Sequence, residues 1–292
     1  MSFEGPERKP EPETNKEALL EKLKESLKMV ALDLRDNGIA VHDDARVDMK
    51  AFAHAGVYSE SNVAMNQFVI ERLNIVFRDQ QDRQSIGQNP NMTATWRTAK
   101  EVKNREAEKI KRSGEQLECL KTIVFHKFLK EYFLTLRTSV HDDLKNGVDN
   151  LIIDKKTGNL IGAFDEVADT NGPVFQEKQN RILDRNLNGG VSVKYGFAMS
   201  ENGKIVPVEA QNNVPIFHLA LSQTDLERGL AEVDFSGEKS SFERGLFKKF
   251  LDSIVSQILT MKGRYREFDQ NLIVRLDLFA RKLGEVYESI LK

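Results

Sequence analysis

The stretch NLIIDKKTGNLIGAFDEVAD, residues 150–169, constrains this chain more than any other. Two apolar runs flank a KKTGN turn, and that pattern reads as a β-hairpin of VDNLIID (148–154) and LIGAFDEVAD (160–169). The runs are apolar enough to be buried, yet negative charge gathers at their ends. Asp149 sits just before the first run, and Asp165, Glu166 and Asp169 close the second. A buried carboxylate is costly unless it is paired, hydrogen-bonded or bound to a cation.

Helical periodicity surrounds this hairpin. Residues 15–36 carry Leu19, Leu20, Leu23, Leu27, Val30, Ala31 and Leu34 at helical spacing, after the capping residues Thr14 and Asn15. A second helix is expected from about Ser61 to Asp82, with Met65, Phe68, Val69 and Leu73 inward. SIGQNPNMT (85–93) reads as a loop, and a polar helix follows from Thr95 to a break near Ser113-Gly114. GEQLECLKTIVFHKFLKEYFLTLRTSVHDDL then reads as one strongly apolar helix, including Tyr132, Phe133 and Leu136.

Beyond the hairpin, residues 170–190 read as a polar insertion. VSVKYGFAM (191–199), KIVPVEA (204–210) and NVPIFHLALS (213–222) read as strands, the first two joined through SENG. Ser222 starts a helix with Asp225 at the capping-box position. Two amphipathic helices end the chain as a hairpin, packed on the core or used for a homodimer.

The expected fold is α+β: a small mixed sheet of about five strands flanked by helices, with N- and C-terminal helical extensions. The expected organisation is a disordered leader (1–14), a helical region (15–113), an α/β core (114–236) and a helical hairpin (237–292). With 292 residues the chain can bury a large core.

Net charge of −2 weighs against a simple nucleic-acid-binding module. The single cysteine, Cys119, allows neither an internal disulfide nor a cysteine-based zinc site. The first residues, MSFEGPERKPEPETNKE, lack the apolar core of a secretory signal, and no run reaches the roughly 18 residues of a membrane span, so cytoplasm is the expected location. P-loop, GxGxxG, GxSxG and HExxH patterns are missing.

The carboxylates therefore carry the functional argument. Side chains alternate along a strand, so Glu166 shares a face with Phe164 and Asp165 with Ala163. Register across the hairpin is open at this level, and either acid can stand beside Asp149. Neighbouring carboxylates repel, and a hard divalent cation, Mg²⁺ or Mn²⁺, offsets that repulsion. Such an ion activates water and neutralises charge on a phosphate in flight. Lys194, on VSVKYG, is the expected ammonium for the attacking water or the developing charge.

A helix bearing an acid, a strand opening on Asp, a hairpin, a second strand ending in an acid, then a further strand and helix resembles the PD-(D/E)XK nuclease core, the restriction-endonuclease-like fold. The resemblance spans residues 114–235. It implies metal-dependent hydrolysis of DNA or RNA, with Asp149 as the first acid, Glu166 or else Asp165 as the second, and Glu118 as the helix acid. The pattern departs at one point: the lysine expected two residues after the second acid is replaced by Ala168 or Val167. Some members recruit that lysine from a neighbouring element, and Lys194 is the expected substitute, ahead of Lys178.

Other charged segments offer weaker signals. Residues 97–112 are locally basic but interleaved with Glu101, Glu106 and Glu108, which favours a solvated helix face. Lys178, Arg181 and Arg185, between the supposed catalytic strands, are candidate nucleic-acid contacts. His126 and His218 lie in apolar contexts and read as core. A catalytically silent scaffold with helical oligomerisation arms is the alternative to a nuclease.

Overall fold

A computed structural model describes residues 13–85, 113–168, 170–233 and 238–291. Asp169, the 85–93 loop beyond Ser85 and the basic segment 97–112 lie outside the described residues, as does the leader up to Pro12. The first helices are α1 (Glu13–Asp36), α2 (Met49–His54), α3 (Glu60–Ser85) and α4 (Ser113–Leu129). Strand β1 (Phe133–Arg137), helix α5 (Val140–Asn146) and the hairpin β2 (Asn150–Asp154) and β3 (Leu160–Val167) follow. Next come α6 (Pro173–Leu187), β4 (Val191–Val193), β5 (Gly196–Met199), β6 (Ile205–Val208), β7 (Gln211–Val214) and β8 (Ile216–Ala220). Helices α7 (Gln223–Glu232), α8 (Ser241–Lys262) and α9 (Gln270–Leu291) close the chain.

The architecture is mixed α/β with helices at both ends, as expected. Its centre is a four-stranded sheet in the order β1-β2-β3-β8. The first three strands are antiparallel neighbours, and β8 joins β3 in parallel. Helix α4 packs on β1 and β3 beside α1, α7 and α8, while α6 packs on β8 and β3. Every residue of β1 and β2 is buried, and so is all of β3 except Val167.

That double cover explains the first correction. Phe133–Arg137 is a strand, not the second half of a helix running from residue 114 to 144. A strand buried on both faces has no two-residue alternation, so its apolar run can be fitted to a helix as easily. Helix α4 stops at Leu129, and Ser139 then caps α5 by accepting the Asp142 N–H at 3.0 Å.

Three further expectations change. The insertion at 170–190 is largely helix α6, opened by Gly172 and Pro173 in the N-terminal turn, where proline's missing N–H costs nothing. The runs 191–199 and 213–222 each divide: β4 pairs with β7, β5 with β6, and β8 enters the main sheet after Pro215. The described strands therefore number eight in three sheets, rather than about five in one. In α3, Met65 and Phe68 point outward, 62% and 51% exposed, while Val63, Asn66 and Ile70 are buried.

Strand β8 ends the main sheet, and an open edge invites pairing with another chain. Gln257 of α8 covers it: its Oε1 accepts the His218 N–H at 2.8 Å, and its Nε2 donates to the His218 carbonyl at 2.7 Å. Gln257→Ala is expected to lower stability by about 1–3 kcal/mol, since two backbone groups lose their partners. Chemical denaturation measures the loss, and an unchanged midpoint would mean that water replaces the amide at no cost.

Candidate functional site

The site forms where β2 begins and β3 ends. Pairing of Asn150 with Phe164 sets the register, and the Asp149 N–H donates to the Phe164 carbonyl at 2.8 Å. Asp149 in turn accepts the Glu166 N–H on Oδ2 at 2.8 Å. Asp149 and the second strand's acid are thus joined directly, through one carboxylate and one backbone amide.

Alternation along β3 then separates Asp165 from Glu166. Glu166 faces α4, where its Oε1 takes the ammonium of Lys121 in an ion pair with both side chains buried. Lys121 also lies over the rings of Phe164, at 4.7 Å, and Phe125, at 5.7 Å. Beside this pair, Asn150 and Thr122 exchange side-chain hydrogen bonds at 3.2–3.3 Å, tying the start of β2 to α4. Asp165 faces α6, where Lys178 and Arg181 pair with it, Arg181 at 2.7 Å.

The electrostatics follow from that enclosure. Burial pushes the Asp149 carboxyl well above the ordinary carboxylate range, and the charges of Glu166 and Asp165 push the same way. Burial also lowers the Lys121 ammonium from its usual value, opposed by the attraction of Glu166. The second Glu166 oxygen, Oε2, is buried and accepts no hydrogen bond from the described residues.

Those properties bear on whether a metal fits. Among the described residues no group of three or more His, Cys, Asp or Glu side chains could hold an ion. Asp149 and Glu166 instead offer a two-carboxylate set with one orphaned oxygen. Mg²⁺ commonly uses one or two carboxylates and takes its remaining oxygens from water and substrate phosphate. Of these oxygens Glu166 Oε2 is the one left without a partner, since Lys121 takes Oε1 and the Glu166 N–H takes Asp149 Oδ2.

The other expected residues go elsewhere. Glu118 accepts from Arg137 Nε at 2.8 Å and from an Arg46 amino nitrogen at 3.2 Å, within a buried network that also holds Glu115 and Asp143. Those arginines floor a cavity of about 760 Å³ that Lys24 and Lys28 also line. The Lys194 ammonium bonds to Asn62 and Asn66 of α3, at 3.2 Å each, and stacks over Tyr58 at 5.3 Å. It belongs to a different neighbourhood from Asp149 and Glu166. Lys178, Arg181 and Arg185 hold the protein's own acceptors: Arg185 donates to the carbonyls of Asn146, at 2.7 Å, and Gly147, at 3.1 Å.

Lys121 is the residue that motif spacing overlooks. Its signal is nonetheless present, because positions 117, 121, 124 and 128 form one apolar helical stripe in which only Lys121 is charged. A lysine on a buried helix face requires an acid opposite it.

No family model matches the chain, and no curated protein and no solved structure matches it either. No described helix is long and apolar enough to cross a membrane.

Proposed function

We propose that this chain is a divergent PD-(D/E)XK enzyme, a phosphodiesterase acting on nucleic acid. One observation carries the reading: the strand-opening acid Asp149 accepts the backbone N–H of the strand-closing acid Glu166, whose carboxylate pairs with Lys121 of the neighbouring helix. Lys121 occupies the role for which the strand itself offers only Ala168 and Val167. The element order supports the same reading, with a helix bearing Glu118, a strand after Asp149, a hairpin, and a parallel β8 reached through a helix.

Asp149 and Glu166 would hold Mg²⁺ or Mn²⁺, which when bound supplies a Lewis acid and an acidified water. The protein's own groups do the rest. Lys121, buried against Phe164 and paired with Glu166, would place a positive charge beside the second acid. Asp149 carries a proton into conditions where a free aspartate has lost it, and that proton would have to leave for both carboxylates to hold a cation. Asp165 stays on the far face as the partner of Lys178 and Arg181.

The test is cleavage of single- and double-stranded DNA and RNA with Mg²⁺ or Mn²⁺, by the wild type, Asp149→Asn and Glu166→Gln. Metal-dependent cutting should fall on the order of 10²–10³-fold in each variant with the fold retained. Cutting that persists in both variants would remove this site from the chemistry. A well-folded wild type that cuts nothing would leave the second reading, a catalytically silent interaction protein. The full burial of the Lys121–Glu166 pair favours that reading, and exposed Leu259 and Val274 on α8 and α9 would then serve a homodimer.

A further inference from the structure

Three cations on α6 follow one another at helical spacing: Lys178, Arg181 and Arg185. The first donates to the backbone carbonyl of Glu166 and pairs with Asp165. The second pairs with Asp165 at 2.7 Å, and the third donates to the carbonyls of Asn146 and Gly147, three and two residues before Asp149. One helix face therefore grips both segments that carry the candidate site, each through backbone groups or a neighbouring side chain.

The Gly147 turn is shaped for this grip. Gly147 has φ of 54°, which glycine adopts without strain, and a Cβ there would come within 3.0 Å of the Arg185 guanidinium. Arg185 makes no direct ion pair among the described residues, although Asp165 and Asp149 attract it from farther off, and backbone carbonyls are its ligands. A guanidinium held this way fixes the path of the chain into β2. Lys178 fixes the end of β3 in the same manner.

We propose that α6 is a clamp: Lys178, Arg181 and Arg185 are positioning residues that set Asp149 against Glu166, and their hydrogen bonds are directed inward rather than to a phosphate backbone. The clamp rests on and deepens the nuclease reading, since it holds together the two segments that carry Asp149 and Glu166. Its test is independent of that reading. The Glu166 amide, bonded to Asp149 Oδ2, reports directly on whether the two segments sit together.

Hydrogen exchange in the intact chain tests it, with Arg185→Gln and Lys178→Met as variants and Lys178→Arg as the conservative control. In the clamp, Arg185→Gln speeds exchange of the Glu166 amide, on the other strand, by about tenfold, while Ile152 in the strand centre keeps its wild-type rate. Lys178→Met does the same, and Lys178→Arg restores slow exchange. An Arg185→Gln variant that loosens only the amides around Gly147 overturns the proposal.

Where cleavage is observed, Lys178→Met should raise the Mg²⁺ concentration for half-maximal rate about tenfold, as loss of outer support does at metal sites. Affinity for a single-stranded oligonucleotide, and its salt dependence, should stay unchanged. Weakened binding with the salt slope reduced by about one per cation would mark phosphate contacts instead and overturn the clamp. Absence of cleavage would count against the nuclease reading alone, because the exchange rates still decide the clamp.

Discussion

Lys121→Met should destabilise the protein by about 3–5 kcal/mol, the cost of leaving one member of a buried ion pair alone. Lys121 is completely enclosed and Glu166 nearly so. Glu166 Oε2 already lacks a partner, so the variant would leave both oxygens of a buried carboxylate unsatisfied. Methionine fills the space between Phe125 and Phe164 well, which isolates the loss of charge from any loss of packing. Adding Glu166→Gln should return much of the stability, since a neutral amide does not need the cation. Denaturant unfolding of the two single variants and the double variant gives the coupling directly. A single-variant loss below about 1 kcal/mol would mean that the pair is solvated rather than enclosed.

Asp142→Ala should cost a similar amount, about 3 kcal/mol or more, in the helix that leads into the Asn146–Gly147 turn. Its carboxylate accepts from Ser139 Oγ at 2.8 Å, Asn146 Nδ2 at 2.7 Å, Lys194 N at 2.8 Å and Tyr195 N at 3.2 Å. The last two are backbone donors between β4 and β5, and truncation orphans both. Burial alone would push this carboxyl up, but His141 and these donors outweigh it and hold it below the usual aspartate range. A depressed folded value means stability that is full above the unfolded value, about 3.9, and is lost as pH falls through the folded one.

Asp149 has the opposite sign. Its raised folded value keeps the proton bound in the native state, so stability falls as pH climbs from about 3.9 toward that value. The two groups squeeze the stability profile from both sides. Unfolding followed against pH should lose its acid limb in Asp142→Asn and flatten on the alkaline side in Asp149→Asn. Profiles that keep the wild-type shape in both variants would contradict the assigned environments.

The hairpin of β2 and β3 was legible because a turn and its flanking runs are local. The same holds for Ser222 over Asp225, where the hydroxyl accepts the Asp225 N–H at 3.1 Å. Strand β1 was not legible, because burial on both faces erases the alternation that marks a strand. Helix α6 was hidden by its composition: its described buried residues are Ile182 and Asn186, too few to draw an apolar stripe.

The site divides in the same way. Sequence alone determined that Asp149, Asp165 and Glu166 lie at strand ends where bare charge is costly, because burial and alternation follow from short-range pattern. Only the tertiary structure decided which acid meets which cation. Alternation along β3 turned Glu166 to α4 and Asp165 to α6, while helix docking brought Lys121 across 45 positions of chain and set α3 against Lys194. Those pairings depend on how helices dock on a sheet, and a docking contact leaves no period or spacing in the residues that make it.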